Sequence, residues 1–166
     1  MKKTAILTLF ILTFSSLEAQ IILPEFNDKP AYYDSKDKKI IELEKSQYNT
    51  MAKAKGLFKA EGGFFLSGSS SSVKIAMQNE LRFIVKVLPS IDPTSVLDFV
   101  KFEVRDDKRV FITTKAKATS TSTSFEKINY QVEKIKEGYY YLIVKGLNKG
   151  EYFFGSNDFM FAFSID

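Results

Sequence analysis

Short runs of residues that alternate apolar and polar, separated by small polar turns, fill the second half of this sequence. Phe83, Val85 and Val87 alternate with Arg82, Ile84 and Lys86. Successive side chains of a strand point to opposite faces, so such a run buries one face and wets the other. Val100, Phe102 and Val104 alternate with Lys101, Glu103 and Arg105; Asp106-Asp107-Lys108 then supplies a turn, and Val110 and Ile112 resume between Arg109, Phe111 and Thr113. Two strands joined in this way form a hairpin. A second hairpin runs Ile128–Ile135, Lys136-Glu137-Gly138, Tyr139–Lys145, and a third runs Glu151–Phe154, Gly155–Asp158, Phe159–Ile165. A chain with this much period-two patterning is expected to be all-β.

The first half is less regular. Ala31–Tyr33 and Lys39–Glu44 flank the polar Asp34–Lys38 and predict another hairpin, whereas residues 46–55 fit a strand or a short helix equally well. Asp92 before Pro93 marks a helix start with room for one turn before Phe99. Ser67–Ser72 and Thr119–Ser124 read as mobile loops, although alternating Ser and Thr also suits an extended edge strand. Leu147-Asn148-Lys149-Gly150-Glu151-Tyr152 resembles the tyrosine corner of immunoglobulin-like sandwiches, with Lys149 where Pro is common. There Leu147, Gly150 and Tyr152 have structural roles, and the Tyr152 hydroxyl bonds back to the main chain a few residues upstream. The expected fold is an immunoglobulin-like antiparallel β-sandwich over residues 64–166, with residues 20–63 adding an N-terminal hairpin and strands.

The N-terminus reads as a secretory signal. Lys2 and Lys3 precede the uncharged Thr4–Phe14, and Ser15–Ala19 is more polar. The apolar run is too short to span a bilayer, and no later run approaches ~18 apolar residues. Cleavage after Ala19 would leave Gln20 first. Residues 1–19 are therefore expected to be removed, and the chain to work in the periplasm or outside the cell, where association with the cell surface is compatible with the sequence.

Composition excludes much chemistry. The chain has no Cys, His or Trp. Disulfides, thiolate zinc sites, cysteine nucleophiles and His-dependent hydrolysis are thereby ruled out. The net charge of +4 rests on 21 Lys and three Arg, a balance that suits solvation better than phosphate recognition, so no nucleic-acid partner is expected. Asp106-Asp107 lies in a turn, and Asp92 is better explained as a cap than as a calcium ligand with Asp98. Ser-x-x-Lys spacing at Ser35-Lys38, Ser71-Lys74 and Ser124-Lys127 lacks the helical placement and partner motifs of Ser/Lys enzymes. No glycine-rich nucleotide loop occurs. No catalytic residue, metal or cofactor is expected.

Aromatics are abundant, with 16 Phe and eight Tyr. In the Tyr139-Tyr140-Tyr141 run, Tyr140 shares a face with Leu142 and Val144, which predicts a core face. Tyr139 and Tyr141 fall on the other face beside Ile143 and are the candidate platform for a sugar or peptide; the plainer alternative packs them under a loop or the N-terminal hairpin.

Several stretches together are similar to uncharacterised secreted proteins of Bacteroidota-type bacteria. They are the signal before Gln20, Lys53-Ala54-Lys55-Gly56, Phe83–Leu88 with Ile91-Asp92-Pro93, Leu147-x-x-Gly150-Glu151-Tyr152-x-Phe154, and the ending Phe161-x-Phe163-x-Ile165-Asp166. The resemblance implies a secreted all-β domain and no particular activity. The expected function is a monomeric, non-enzymatic binding or interaction module with an unidentified protein or glycan partner. The alternatives are a small outer-membrane β-barrel, suggested by the aromatic last strand, and a carboxylate- or serine-based hydrolase.

Overall fold

A computed structural model of the chain describes residues 22–54, 56, 59–117, 119–123, 125, 127–156 and 159–166. The expected signal sequence, residues 1–19, lies outside them. In chain order the elements are β1 (Ala31–Asp34), β2 (Lys39–Glu42), β3 (Glu44–Ser46), β4 (Asn49–Ala54), β5 (Lys59–Ser67), β6 (Lys74–Ile75) and β7 (Glu80–Lys86). They continue with α1 (Pro93–Val96), β8 (Asp98–Lys101), β9 (Glu103–Arg105), β10 (Lys108–Lys117) and β11 (Ser120–Thr123). The last four are β12 (Gln131–Lys136), β13 (Tyr139–Lys145), β14 (Gly150–Gly155) and β15 (Met160–Ile165).

The protein is all-β, and its strands form three open five-stranded sheets. Sheet A runs β12-β13-β7-β1-β2; sheet B runs β3-β15-β14-β8 with β6 beside β15; sheet C runs β11-β10-β5-β4 with β9 beside β10. All pairings between strands are antiparallel except β6 with β15. The turn residues of the sequence explain the hairpins: Lys108 pairs with Arg105 across Asp106-Asp107, and Tyr139 pairs with Lys136 across Glu137-Gly138. Asp92 caps α1 by accepting the Thr94 N–H at 2.9 Å, and Pro93 opens its single turn. In the segment 46–55, open between strand and helix in the sequence, Ser46 ends β3 and Asn49–Ala54 form β4.

Sheets A and B enclose the main core. Phe83, Val85, Leu142 and Val144 of sheet A meet Phe99, Tyr152, Phe154, Phe161, Phe163 and Ile165 of sheet B. The rings of Phe83 and Phe154 lie 5.0 Å apart, as do those of Phe83 and Phe163. The other face of sheet B (Val100, Phe153, Met160 and Ala162) packs against Leu66, Phe64 and Phe111 of sheet C. Both faces of sheet B are thus covered, which is why β15 is buried along its whole length. The Phe161, Phe163 and Ile165 face of the last strand belongs to the main core.

Two expectations need correction. The segment 98–105 reads as one alternating strand but is two, because the chain leaves sheet B after Lys101 and joins sheet C at Glu103. Buried Phe102 marks the crossing, and its N–H is held by the Glu151 carbonyl at 2.9 Å. The expected boundary between residues 63 and 64 falls inside β5, and β1 to β5 contribute to all three sheets.

Candidate functional site

Sheets B and C are locked together at one end and diverge at the other. Arg109 on β10 is 2% exposed, and its guanidinium donates to both oxygens of Glu44 on β3, an edge strand of sheet B, at 2.7 and 3.0 Å. It also donates to the carbonyls of Gly68 (3.1 Å) and Ser67 (3.2 Å). Burial works against ionisation of Glu44, but the bonds from Arg109 and the Ser72 N–H outweigh it and hold its carboxyl below the usual carboxylate range. Beside this pair, buried Glu151 accepts from Ser164 Oγ at 2.6 Å, Ser70 Oγ at 3.0 Å and the Ser71 N–H at 2.8 Å. Lys74 Nζ bonds Ser70 Oγ, and also Ser164 Oγ at 3.1 Å. The Ser67–Ser72 stretch, expected as a mobile loop, is instead pinned by buried carboxylates. Thr119–Ser124 contributes the edge strand β11.

At the diverging end lies a groove of about 400 Å³. Its floor is aromatic: Phe64 of β5, Phe111 of β10, Phe153 of β14, Tyr48 before β4, and Phe125. Tyr48 and Phe64 meet edge to face at 4.6 Å, as do Phe111 with Phe125 at 5.3 Å and Phe111 with Phe153 at 5.4 Å. The rim is hydroxylic, with Thr94, Ser95, Thr113 and Ser156. Among the described residues its two charged groups, Asp98 and Lys127, neutralise each other at 2.6 Å. Below the α1 side of the rim, the Tyr130 hydroxyl donates to the Leu97 carbonyl at 2.7 Å and fixes the turn that carries Thr94 and Ser95. Burial, reinforced by the nearby carboxylates of Asp98 and Asp92, pushes that hydroxyl's pKa up, so it remains a donor.

Backbone geometry shapes this end of sheet C. β10 carries a bulge between Ile112 and Thr114, opposite Gly62 and Gly63. A Cβ at Gly63 would collide with the Phe111 carbonyl oxygen and lie 3.0 Å from Ile112 Cα, so only glycine lets the two strands approach there.

The candidate platform does not form. Tyr141 is 9% exposed and packs with Ile84, Ile143, Tyr33 and Leu23, its ring 5.8 Å from that of Tyr33. The β1–β2 hairpin extends sheet A edgewise, and this brings Tyr33 over the face on which Tyr141 stands. Tyr139 is half-buried, with Lys86 Nζ at 5.8 Å and Lys136 Nζ at 4.9 Å from its ring centre. Leu147 is buried in the main core, and the Tyr152 hydroxyl donates to the Asn148 carbonyl at 2.8 Å. At Gly150, φ is 155° and a Cβ would come within 2.9 Å of the Lys101 side chain.

The remaining sequence candidates are dispersed. Asp106 and Asp107 occupy the β9–β10 turn, Ser35 and Lys38 the β1–β2 turn. Ser71 Oγ donates to the Ala162 carbonyl at 3.3 Å, and Lys74 reaches Ser70 and Ser164 rather than Ser71. Ser124 lies outside the described residues. Sequence reading missed the groove because six separate segments build it; its one local signal is the Gly62-Gly63-Phe64 step, where two glycines precede an aromatic residue within a strand. No family model, no curated protein and no solved structure matches this chain.

Proposed function

We propose that this chain is an exported, non-enzymatic binding module with an immunoglobulin-like sandwich at its centre, and that the groove between sheets B and C receives an apolar side chain of a partner protein. The observation that carries this reading is the groove's composition: an aromatic floor under a rim whose two charges, among the described residues, cancel. A concave apolar site with a few polar groups at its edge is the usual form of a ligand pocket. The floor rings meet edge to face, which suits a side chain inserted among them better than a sugar laid flat on one ring. Acid–base catalysis needs a titratable group free to exchange a proton with substrate, and the rim's carboxylate is held in an ion pair.

Export and binding are tested together. The protein recovered from outside the cytoplasm should have the intact mass of residues 20–166. Purified, it should bind the apolar dye bis-ANS, and a groove-filling Thr113→Trp variant with an unchanged unfolding temperature should lose that binding. Hydrolysis of 4-nitrophenyl esters or glycosides that disappears in the filled variant would instead make the groove an active site.

A further inference from the structure

The face of sheet C turned away from sheet B carries an unusual charge distribution. In β5, Phe64 and Leu66 point toward sheet B, so Lys59, Glu61, Gly63 and Phe65 point outward. Paired residues of an antiparallel ladder share a face. Lys53 and Lys115 flank Glu61, Lys117 stands opposite Lys59, and Arg105 and Lys108 continue the same face. Among the described residues, that face holds six cations (Lys53, Lys59, Arg105, Lys108, Lys115, Lys117) and two carboxylates, Glu61 and Glu103, a difference of +4 that equals the net charge of the whole chain. Both carboxylates are already engaged by Arg105, at 2.8 and 2.7 Å. Lys59 and Lys117 face each other directly, and like charges so placed oppose strand pairing. Folding alone therefore does not account for them.

The geometry points to this face as a docking surface for a linear acidic polysaccharide, independently of the groove. Lys59 and Lys117 stand about 5 Å apart across strands, Lys115 follows about 7 Å along β10, and Lys53 lies about 10 Å from Lys115 beyond Glu61, a spacing that lets successive carboxylates of one polymer be met in turn. Lysines present point charges rather than the flat forks that fit phosphate, and among the described residues the outward positions between these four carry no aromatic ring on which bases would stack, the outward ring of Phe65 lying at the Lys108 end. Ser120 and Ser122 on β11 pair with Lys117 and Lys115 and so add hydroxyls to the same face, within reach of sugar hydroxyls. Asp106 and Asp107 sit in the β9–β10 turn between Arg105 and Lys108, at the opposite end of the sheet from Lys59 and Lys117.

The test is calorimetric titration of the full exported chain with polygalacturonate at 50 mM NaCl. The surface predicts saturable binding that weakens at least ~10-fold at 500 mM NaCl, where screening is short-ranged. Lys59→Glu/Lys117→Glu should weaken binding ~10-fold or more, while the equally charge-reversing Lys36→Glu/Lys38→Glu in the β1–β2 turn should change it less than ~2-fold. Lys59→Glu alone puts opposite charges face to face, so it should weaken binding while leaving the urea midpoint equal or higher. Equal loss in both double variants would overturn the surface in favour of net charge alone. Single-stranded DNA binding as tightly as polygalacturonate would overturn the polysaccharide as its partner.

Discussion

Arg109→Met is the sharpest single test of how the sheets are held. The guanidinium is 2% exposed and makes two bonds to Glu44 and two to the carbonyls of Ser67 and Gly68. Methionine fills a similar apolar volume beside Phe102, whose ring centre lies 5.8 Å from the guanidinium carbon, but supplies none of the donors. Removing one partner of a buried ion pair costs about 3–5 kcal/mol, because the other charge is left without compensation. Glu44 keeps the Ser72 N–H and is itself partly exposed, so the lower part of that range applies, about 3 kcal/mol. Urea unfolding followed by circular dichroism would show this as a lower midpoint with little change in slope. Arg109→Met/Glu44→Leu removes both charges, and the double variant should be less destabilised than the sum of the single ones. A single variant within about 0.5 kcal/mol of the parent, or strict additivity in the cycle, would refute the assignment of Arg109–Glu44 as the clasp between sheets B and C.

Tyr152→Phe removes the hydroxyl that bonds the Asn148 carbonyl and should cost about 1 kcal/mol in the same unfolding assay; an unchanged midpoint would mean the corner does not brace the fold. Gly63→Ala should destabilise more than Gly62→Ala, since a Cβ at position 63 meets backbone whereas at 62 its nearest neighbour is an ordinary contact at 3.8 Å, and equal effects would contradict the close approach at the β10 bulge. Because the carboxyl of Glu44 is held below its ordinary range in the fold, its contribution is present above the unfolded carboxyl value near ~4.3 and is lost as pH falls through the lower folded value. Stability should therefore fall below about pH 4.5, and the gap between parent and Glu44→Gln should narrow there; a gap that widens would reverse the sign.

The hairpins were legible because their signals are local. Asp106-Asp107, Glu137-Gly138 and the Asp92-Pro93 cap each act within a few residues. What pairing partner a strand takes is not local. The run 98–105 keeps its alternation while changing sheets at Phe102, so nothing in its period reveals the crossing. Tyr141 reads as an exposed ring until β1 pairs with β7 and brings Tyr33 beside it. The serine stretch reads as a loop because the carboxylate that orders it, Glu151, is 80 residues from Ser71. The groove depends on the same kind of long-range contact: Phe64, Phe111 and Phe153 each look like core residues in their own strands, and only the divergence of two sheets leaves them lining an opening.

Amide-resolved NMR reads occupation of the groove residue by residue. The ¹⁵N-labelled protein is titrated with N-acetyl-phenylalanine amide, an uncharged probe of one aromatic side chain. Saturable shift changes confined to Tyr48, Phe64, Thr94–Val100, Phe111, Thr113, Phe125, Lys127, Phe153–Ser156 and Met160, and absent from Thr113→Trp, are the predicted result. Changes centred on Tyr139 and Lys136 instead, or none at any probe concentration reached, would contradict it.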